Sequence, residues 1–201
     1  MEIKKNPTMN CYYSLKDDRR ICDSEVLYSK DKAIAVYLDD TNEIKVFATA
    51  GSPTKRYIEW FAKEMQGIYS KYPTIKYYDM KRRDKVFQIK DEDRLGDDSD
   101  FEINVKRLIK AMELGYIDKD DCQNRSPTAS QMLDFALQNE DKGDFTFGGY
   151  LIYPPRSDFR ATIDSIEVDI RHPHMLKLFK EFTKTADLFK GKDLNCFAWW
   201  D

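Results

Sequence analysis

Hydrophobic and polar positions along the chain fall into short alternating runs and longer stretches that step by three or four residues. The run Ala-Ile-Ala-Val-Tyr-Leu from Ala33 to Leu38 predicts a strand, Asp39 to Asn42 a polar turn, and Glu43 to Ala48 a returning strand. Gly51-Ser52-Pro53 opens a helix, with Ser52 as N-cap and Pro53 at the first helical position, where a missing N–H does no harm. Ile58, Phe61, Ala62, Met65 and Tyr69 give that helix one apolar face, and Tyr72-Pro73 ends it. Thr74 to Met80 and Lys85 to Lys90 predict a second hairpin turning at Lys81-Arg82-Arg83-Asp84. The acidic stretch Asp91 to Asp100 is expected as an exposed connection. Phe101 to Leu114 then reads as a helix with Ile103, Leu108, Ile109 and Met112 inward and Gly115 as its stop.

The second half repeats this vocabulary. Ser126-Pro127 begins a helix carrying Met132, Leu133, Phe135, Ala136 and Leu137. Tyr150 to Tyr153 and Arg160 to Ile170 read as strands joined by the stiff turn Pro154 to Asp158. Pro173 opens a last helix with Met175, Leu176, Phe179, Phe182 and Leu188 apolar, and the chain ends Phe197-Ala198-Trp199-Trp200-Asp201. A hairpin followed by a helix is thus predicted three times, over about Ala33 to Lys71, Thr74 to Gly115 and Phe145 to Lys190. The fold class that follows is α+β, mainly antiparallel sheet built from hairpin-helix units with helices packed on one face. No linker-like composition divides residues 1–201, so one domain is expected.

Composition narrows the class. Hydrophobic residues are 41% of the chain and aromatic ones 13%, enough to build a core and against intrinsic disorder. No apolar run reaches the ~20 residues of a membrane span, and the segment Met1 to Thr8 lacks the apolar stretch of a signal peptide, so a cytoplasmic protein without membrane contact is expected. Cys11, Cys22, Cys122 and Cys196 form no Cys-x-x-Cys pair, and His172 and His174 do not complete a zinc site at familiar spacing. Cys11 and Cys22 flank the charged turn Lys16 to Arg20 and are read as free thiols across a hairpin. The formal net charge is only -3, from 33 Lys+Arg and 36 Asp+Glu, which looks uninformative until it is read along the chain. It resolves into a basic, tyrosine-flanked segment at Lys76 to Lys85 and an acidic one at Asp91 to Asp100.

Those two segments hold the candidate chemistry. An acid ending one strand, Asp79, followed by Gln88-x-Lys90 on the next resembles the heart of the restriction-endonuclease-like nucleases, with a helix acid, Glu59 or Glu64, available to complete the set. The resemblance covers about Arg56 to Leu114. It implies catalytic Asp79, Gln88 and Lys90 around Mg²⁺, two oxygen ligands holding the ion at the scissile phosphate and the lysine orienting water. Alternation in a strand puts Gln88 and Lys90 on one face. The same stretch, with Tyr77, Arg82 and Arg83, mixes aromatic and basic groups as single-strand nucleic-acid surfaces do. The loop Ala50 to Lys55 lacks the second glycine and the Gly-Lys-Ser/Thr ending of a P-loop, so Ser52 there is a helix cap. His172-Pro173-His174, beside Glu167 and Asp169, reads as a helix-entry turn. Trp199 and Trp200 close the densest aromatic cluster, and such residues anchor interfaces when exposed.

The favoured reading is an intracellular macromolecule-binding protein that acts by protein–protein association, with no cofactor. Its expected binding residues are Tyr77, Arg82, Arg83, Asp97, Asp98, Asp100, Trp199 and Trp200. A protein partner is expected first and nucleic acid second. The richness in Lys, Asp, Ile and Tyr fits a phage or mobile-element inhibitor of a host nuclease or defence system, its acidic segment occupying a basic nucleic-acid groove. The Mg²⁺-dependent nuclease is the alternative.

Overall fold

The structure is a computed structural model, and it describes residues 2–5, 11–16, 24–29, 32–38, 41–47, 52–89, 98–153, 160–192 and 194–201. Contacts divide the chain into two compact units, Met1–Arg82 with Ile152–Phe159, and Arg83–Leu151 with Arg160–Asp201. The described residues form helices and two mostly antiparallel sheets, an α+β fold as the patterning predicts.

In the first unit, β1 (Glu2–Lys5), β2 (Cys11–Lys16), β3 (Ser24–Ser29), β4 (Lys32–Leu38) and β5 (Glu43–Val46) run as an antiparallel meander. Helix α1 (Ser52–Tyr69) then carries the chain over to β6 (Thr74–Tyr77), which pairs with β5 in parallel and ends the sheet. The face of α1 read from the sequence is the buried one. Ile58, Phe61, Ala62 and Met65 close on Leu27, Ala35, Tyr37, Ile44 and Val46, each large side chain contributing roughly 1.5–3 kcal/mol of burial. At the far end of α1, Tyr69 donates a 2.6 Å hydrogen bond to the buried Glu25 and lies tilted against Tyr37, ring centroids 4.9 Å apart. Cys11 opens β2, while Cys22 lies outside the described residues.

The second hairpin is not formed. Where Lys81 to Asp84 was to turn, helix α2 (Met80–Phe87) runs instead. Met, Lys and Arg are good helix formers, and Asp79 caps the first turn by accepting from the Arg82 N–H at 3.0 Å. Arg83 and Phe87, four apart, share the buried side. The helix stops at Gln88, whose φ of 61° is left-handed, and Arg107 Nη1 caps its end by donating to the Lys85 and Val86 carbonyls, both at 2.9 Å. Of the three places where the chain passes between the two units, the first, Arg82 to Arg83, falls inside this helix.

The second unit holds β7 (Asp98–Asn104), α3 (Val105–Glu113), α4 (Ala129–Gln138), β8 (Gly143–Ile152), β9 (Ala161–Ile170), α5 (His174–Phe182), β10 (Leu188–Lys192) and β11 (Asn195–Trp199), with β8 ending at Ile152 in the first unit. Its sheet has the order β10-β11-β9-β8-β7. The helix expected from Phe101 is a strand up to Asn104, because Phe101 and Ile103 are buried on alternate positions between exposed acids. Asn104 caps α3, its side chain accepting from the Arg107 N–H at 3.1 Å. Helix α4 starts three residues past Ser126, at a Thr128–Gln131 capping box. Leu188, expected in the last helix, is in β10, and the aromatic tail is β11. The hairpin-helix order therefore holds for β4-β5-α1 and β8-β9-α5 only.

The helices meet one face of this sheet. Phe87 packs on Phe101 at 4.6 Å between ring centroids, Phe135 on Phe145 at 5.8 Å, and Phe179 on Phe189 at 6.1 Å. Phe135 and Phe182 stack at 4.0 Å and tie α4 to α5. Gly149 lies in this close-packed layer, where a Cβ would meet the Thr162 carbonyl and stand 2.9 Å from Phe101 Cζ. No helix among the described residues is long and apolar enough to cross a membrane.

Candidate functional site

Strand alternation decides what the other face of the second sheet carries. Phe101 and Ile103 on β7, Phe145 and Phe147 on β8, Ile166 and Val168 on β9, and Cys196 and Ala198 on β11 point into the core. Their neighbours point out: Asp98, Asp100 and Glu102 on β7, Asp144 and Thr146 on β8, Glu167 and Asp169 on β9, Asn195, Phe197 and Trp199 on β11, and, paired with Phe197 and Trp199, Lys190 and Leu188 on β10. The register lines these up in rows. Asp144, Asp169 and Asn195 form one, Thr146, Glu167 and Phe197 the next, and Gly148, Ser165 and Trp199 a third.

Acids outnumber bases on this face, where Lys190 lies at one edge beside Phe197. Asp144 stands directly opposite Asp169, a like-charge cross-strand pair that by itself destabilises a sheet. Two contacts moderate it. Arg171 reaches Asp144 at 3.2 Å, and the Asn195 amide donates to both Glu167 and Asp169, the latter at 2.9 Å. Asp164, the extra residue where the register shifts between Gly148 and Gly149, sits half-buried beside the third row. Burial pushes its carboxyl above the ordinary aspartate value, hydrogen bonds from Ser165 and Trp199 pull it back, and the field of Asp100 raises it further. At Gly148 the Ser165 side chain fills the space a Cβ would take. A Cβ there would collide with Ser165 Oγ and lie 3.7 Å from the Phe101 carbonyl oxygen.

The residues expected to bind separate cleanly. Asp98, Asp100 and Trp199, distant in sequence, share the outer face. Trp200 does not join them: it is fully buried, and its Nε1–H donates to Thr185 Oγ1 at 3.1 Å. The step from Trp199 to Trp200 reverses the side chain's direction, so adjacent tryptophans serve opposite faces. Arg83 is buried as well and is no hairpin-tip contact for phosphate, whereas Arg82 is exposed on α2. Tyr77 is 52% exposed on β6, in the first unit. Asp97 and Lys90 lie outside the described residues. Asp79 and Gln88 stand at opposite ends of α2, and the pair of adjacent strands that the nuclease motif requires is replaced by that helix.

Glu102, Asp144, Asp164, Glu167 and Asp169 are not among the binding residues expected from the sequence, and Phe197 enters there only as a member of the aromatic tail. Their signal is present as alternation, acid-x-acid in β7 and β9 and aromatic-x-aromatic in β11, but it is legible only once those segments are read as strands. His172 accepts at Nδ1 from the His174 N–H at 3.2 Å, a turn at the start of α5. Among the described residues no group of three or more His, Cys, Asp or Glu side chains is placed to hold a metal ion. Cys122 is exposed and Cys196 buried, where burial raises its thiol.

Comparison of the chain with protein-family models, with curated proteins and with solved structures returned no match.

Proposed function

We propose that this chain is a binding protein that acts by protein–protein association, docking through the outer face of its second sheet. One observation carries the reading. The sheet face opposite the packed helices presents aligned carboxylates on β7, β8 and β9 together with Phe197 and Trp199 on β11, edged by Leu188 and Lys190 on β10. Aromatic anchors ringed by charge are what a selective protein interface needs, the rings supplying contact energy and the charges steering and rejecting partners. The expected role of a phage or mobile-element inhibitor belongs to the same reading, because occluding a host nuclease or defence protein takes a complementary surface. The test is affinity capture from the native source with the intact chain, with Asp100→Lys/Glu167→Lys, and with Glu113→Lys/Asp134→Lys, which makes the same charge change on exposed helix positions. The reading expects a protein retained by the intact chain and the helix variant and lost with the face variant. Equal retention by all three refutes it.

A further inference from the structure

We propose that the occupant of this face is a cationic, phosphate-reading groove of a nucleic-acid-handling protein, the carboxylate rows standing in for a nucleic-acid backbone. The proposal rests on the association reading above and adds the chemistry of the partner.

Geometry is the first support. Asp98, Asp100 and Glu102 occupy alternate positions of β7, so their side chains recur about every 6.7 Å in a straight row. That step is close to the separation of successive phosphates along one nucleic-acid strand. Glu167 and Asp169 make a second row on β9, and β8 intervenes, so the rows lie roughly 10 Å apart. Two parallel lines of regularly spaced negative charge present to a basic groove what a backbone presents.

Energetics is the second support. Asp144 and Asp169 stand opposite each other with Arg171 on the first and the Asn195 amide on the second, and a partner's cation beside them would add to that compensation. Beside the rows, half-buried Phe197 and Trp199 offer ring faces on which a guanidinium can lie. A cation there would also draw the raised Asp164 carboxyl back down, so binding releases a proton when the pH lies within its shifted range. The other occupants are disfavoured by the same charges. Nucleic acid would meet like charge along both rows, and a second copy docking by the same patch would set acid against acid.

The test has two arms. First, a fluorescently labelled deca-arginine peptide is titrated against the purified chain by anisotropy at two salt concentrations. Binding is expected to weaken with salt, to fall at least about tenfold in Asp98→Asn/Asp100→Asn/Glu102→Asn, to weaken about threefold or more in Trp199→Ala, and to persist in Glu113→Gln/Asp134→Asn. The amide substitutions keep side-chain shape, and far-UV circular dichroism confirms the fold. Equal binding by both sets overturns the proposal. Second, protein captured on the intact chain is challenged with duplex DNA. Release is expected, with the chain itself binding no duplex. A partner held by the face but indifferent to DNA overturns this proposal and leaves the association reading standing. Direct binding of the duplex by the face overturns it too, and capture of no protein removes both.

Discussion

The adjacent tryptophans give the sharpest check on the strand assignment that defines the face. Trp200 is fully buried in the core of the second unit, with its indole N–H satisfied by Thr185 Oγ1 at 3.1 Å. Truncating a buried tryptophan to alanine loses its transfer energy and leaves a cavity, together about 3–5 kcal/mol. The lost hydrogen bond falls within that range, and Thr185 keeps its other contact by donating to the Arg125 carbonyl. Trp199 is half-buried on the outer face, so Trp199→Ala removes partial burial and one hydrogen bond to Asp164, about 1–2 kcal/mol. Urea unfolding of both variants by far-UV circular dichroism should therefore separate them by about 1–4 kcal/mol, with Trp200→Ala the less stable. By heat, Trp200→Ala should melt about 6–20 °C below the parent. Partner binding should show the reverse order, with Trp199→Ala the more damaging. If Trp199→Ala costs as much stability as Trp200→Ala, or Trp200→Ala costs under about 1 kcal/mol, the register of β11 is wrong and the composition of the face with it.

Three further outcomes follow from the packing. Gly149→Ala drives a Cβ into the Thr162 carbonyl and to 3.0 Å from Ile163 Cα, backbone that cannot swing aside, and should lower stability by about 1–3 kcal/mol or more in the same urea assay. Tyr69→Phe takes from buried Glu25 a 2.6 Å donor and should cost about 1–3 kcal/mol; an unchanged unfolding midpoint would show that the bond contributes nothing. Asp164→Asn should be more stable than the parent at pH 7. The folded-state pKa of Asp164 is raised, first by burial, so its stabilising contribution is present in full below the ordinary value of 3.8 and is lost as pH rises through the shifted value. Melting temperatures measured from pH 7 down to pH 4 should show the advantage of the variant shrinking on acidification; an advantage that grows would reverse the assigned sign.

The fold was legible wherever one period was strong. The apolar step Ile58, Phe61, Ala62, Met65 marks α1, and the alternation in Arg160 to Ile170 marks β9. Ambiguity arose where two periods fit the same residues. In Lys85 to Lys90 the alternation of Phe87 and Ile89 with Gln88 and Lys90 reads as a strand, yet Arg83 and Phe87 also share a helical face, and Asp79 decides the matter by capping the first turn. Short local patterns carry no information about such a side-chain bond. The Phe101 to Leu114 segment failed differently. A strand runs directly into a helix at Asn104, and Ile103 fits both periods. The binding face was half legible. Its acids and Trp199 are visible as residue types, but their meeting is a property of strand order, with β7 and β11 separated by β8 and β9. An aromatic cluster says nothing of direction, whereas strand parity puts Cys196, Ala198 and Trp200 inward together and Trp199 outward.

Carboxyl-specific footprinting of the chain, alone and bound to its captured partner, tests the central claim most directly. Carbodiimide coupling to glycine ethyl ester, read by peptide mass spectrometry, reports each acid separately. Labelling of Asp98, Asp100, Glu102, Glu167 and Asp169 should fall in the complex, while the exposed Glu113 and Asp134 on α3 and α4 keep their labelling. Undiminished labelling across β7 and β9, with protection confined to the helices, would contradict the account.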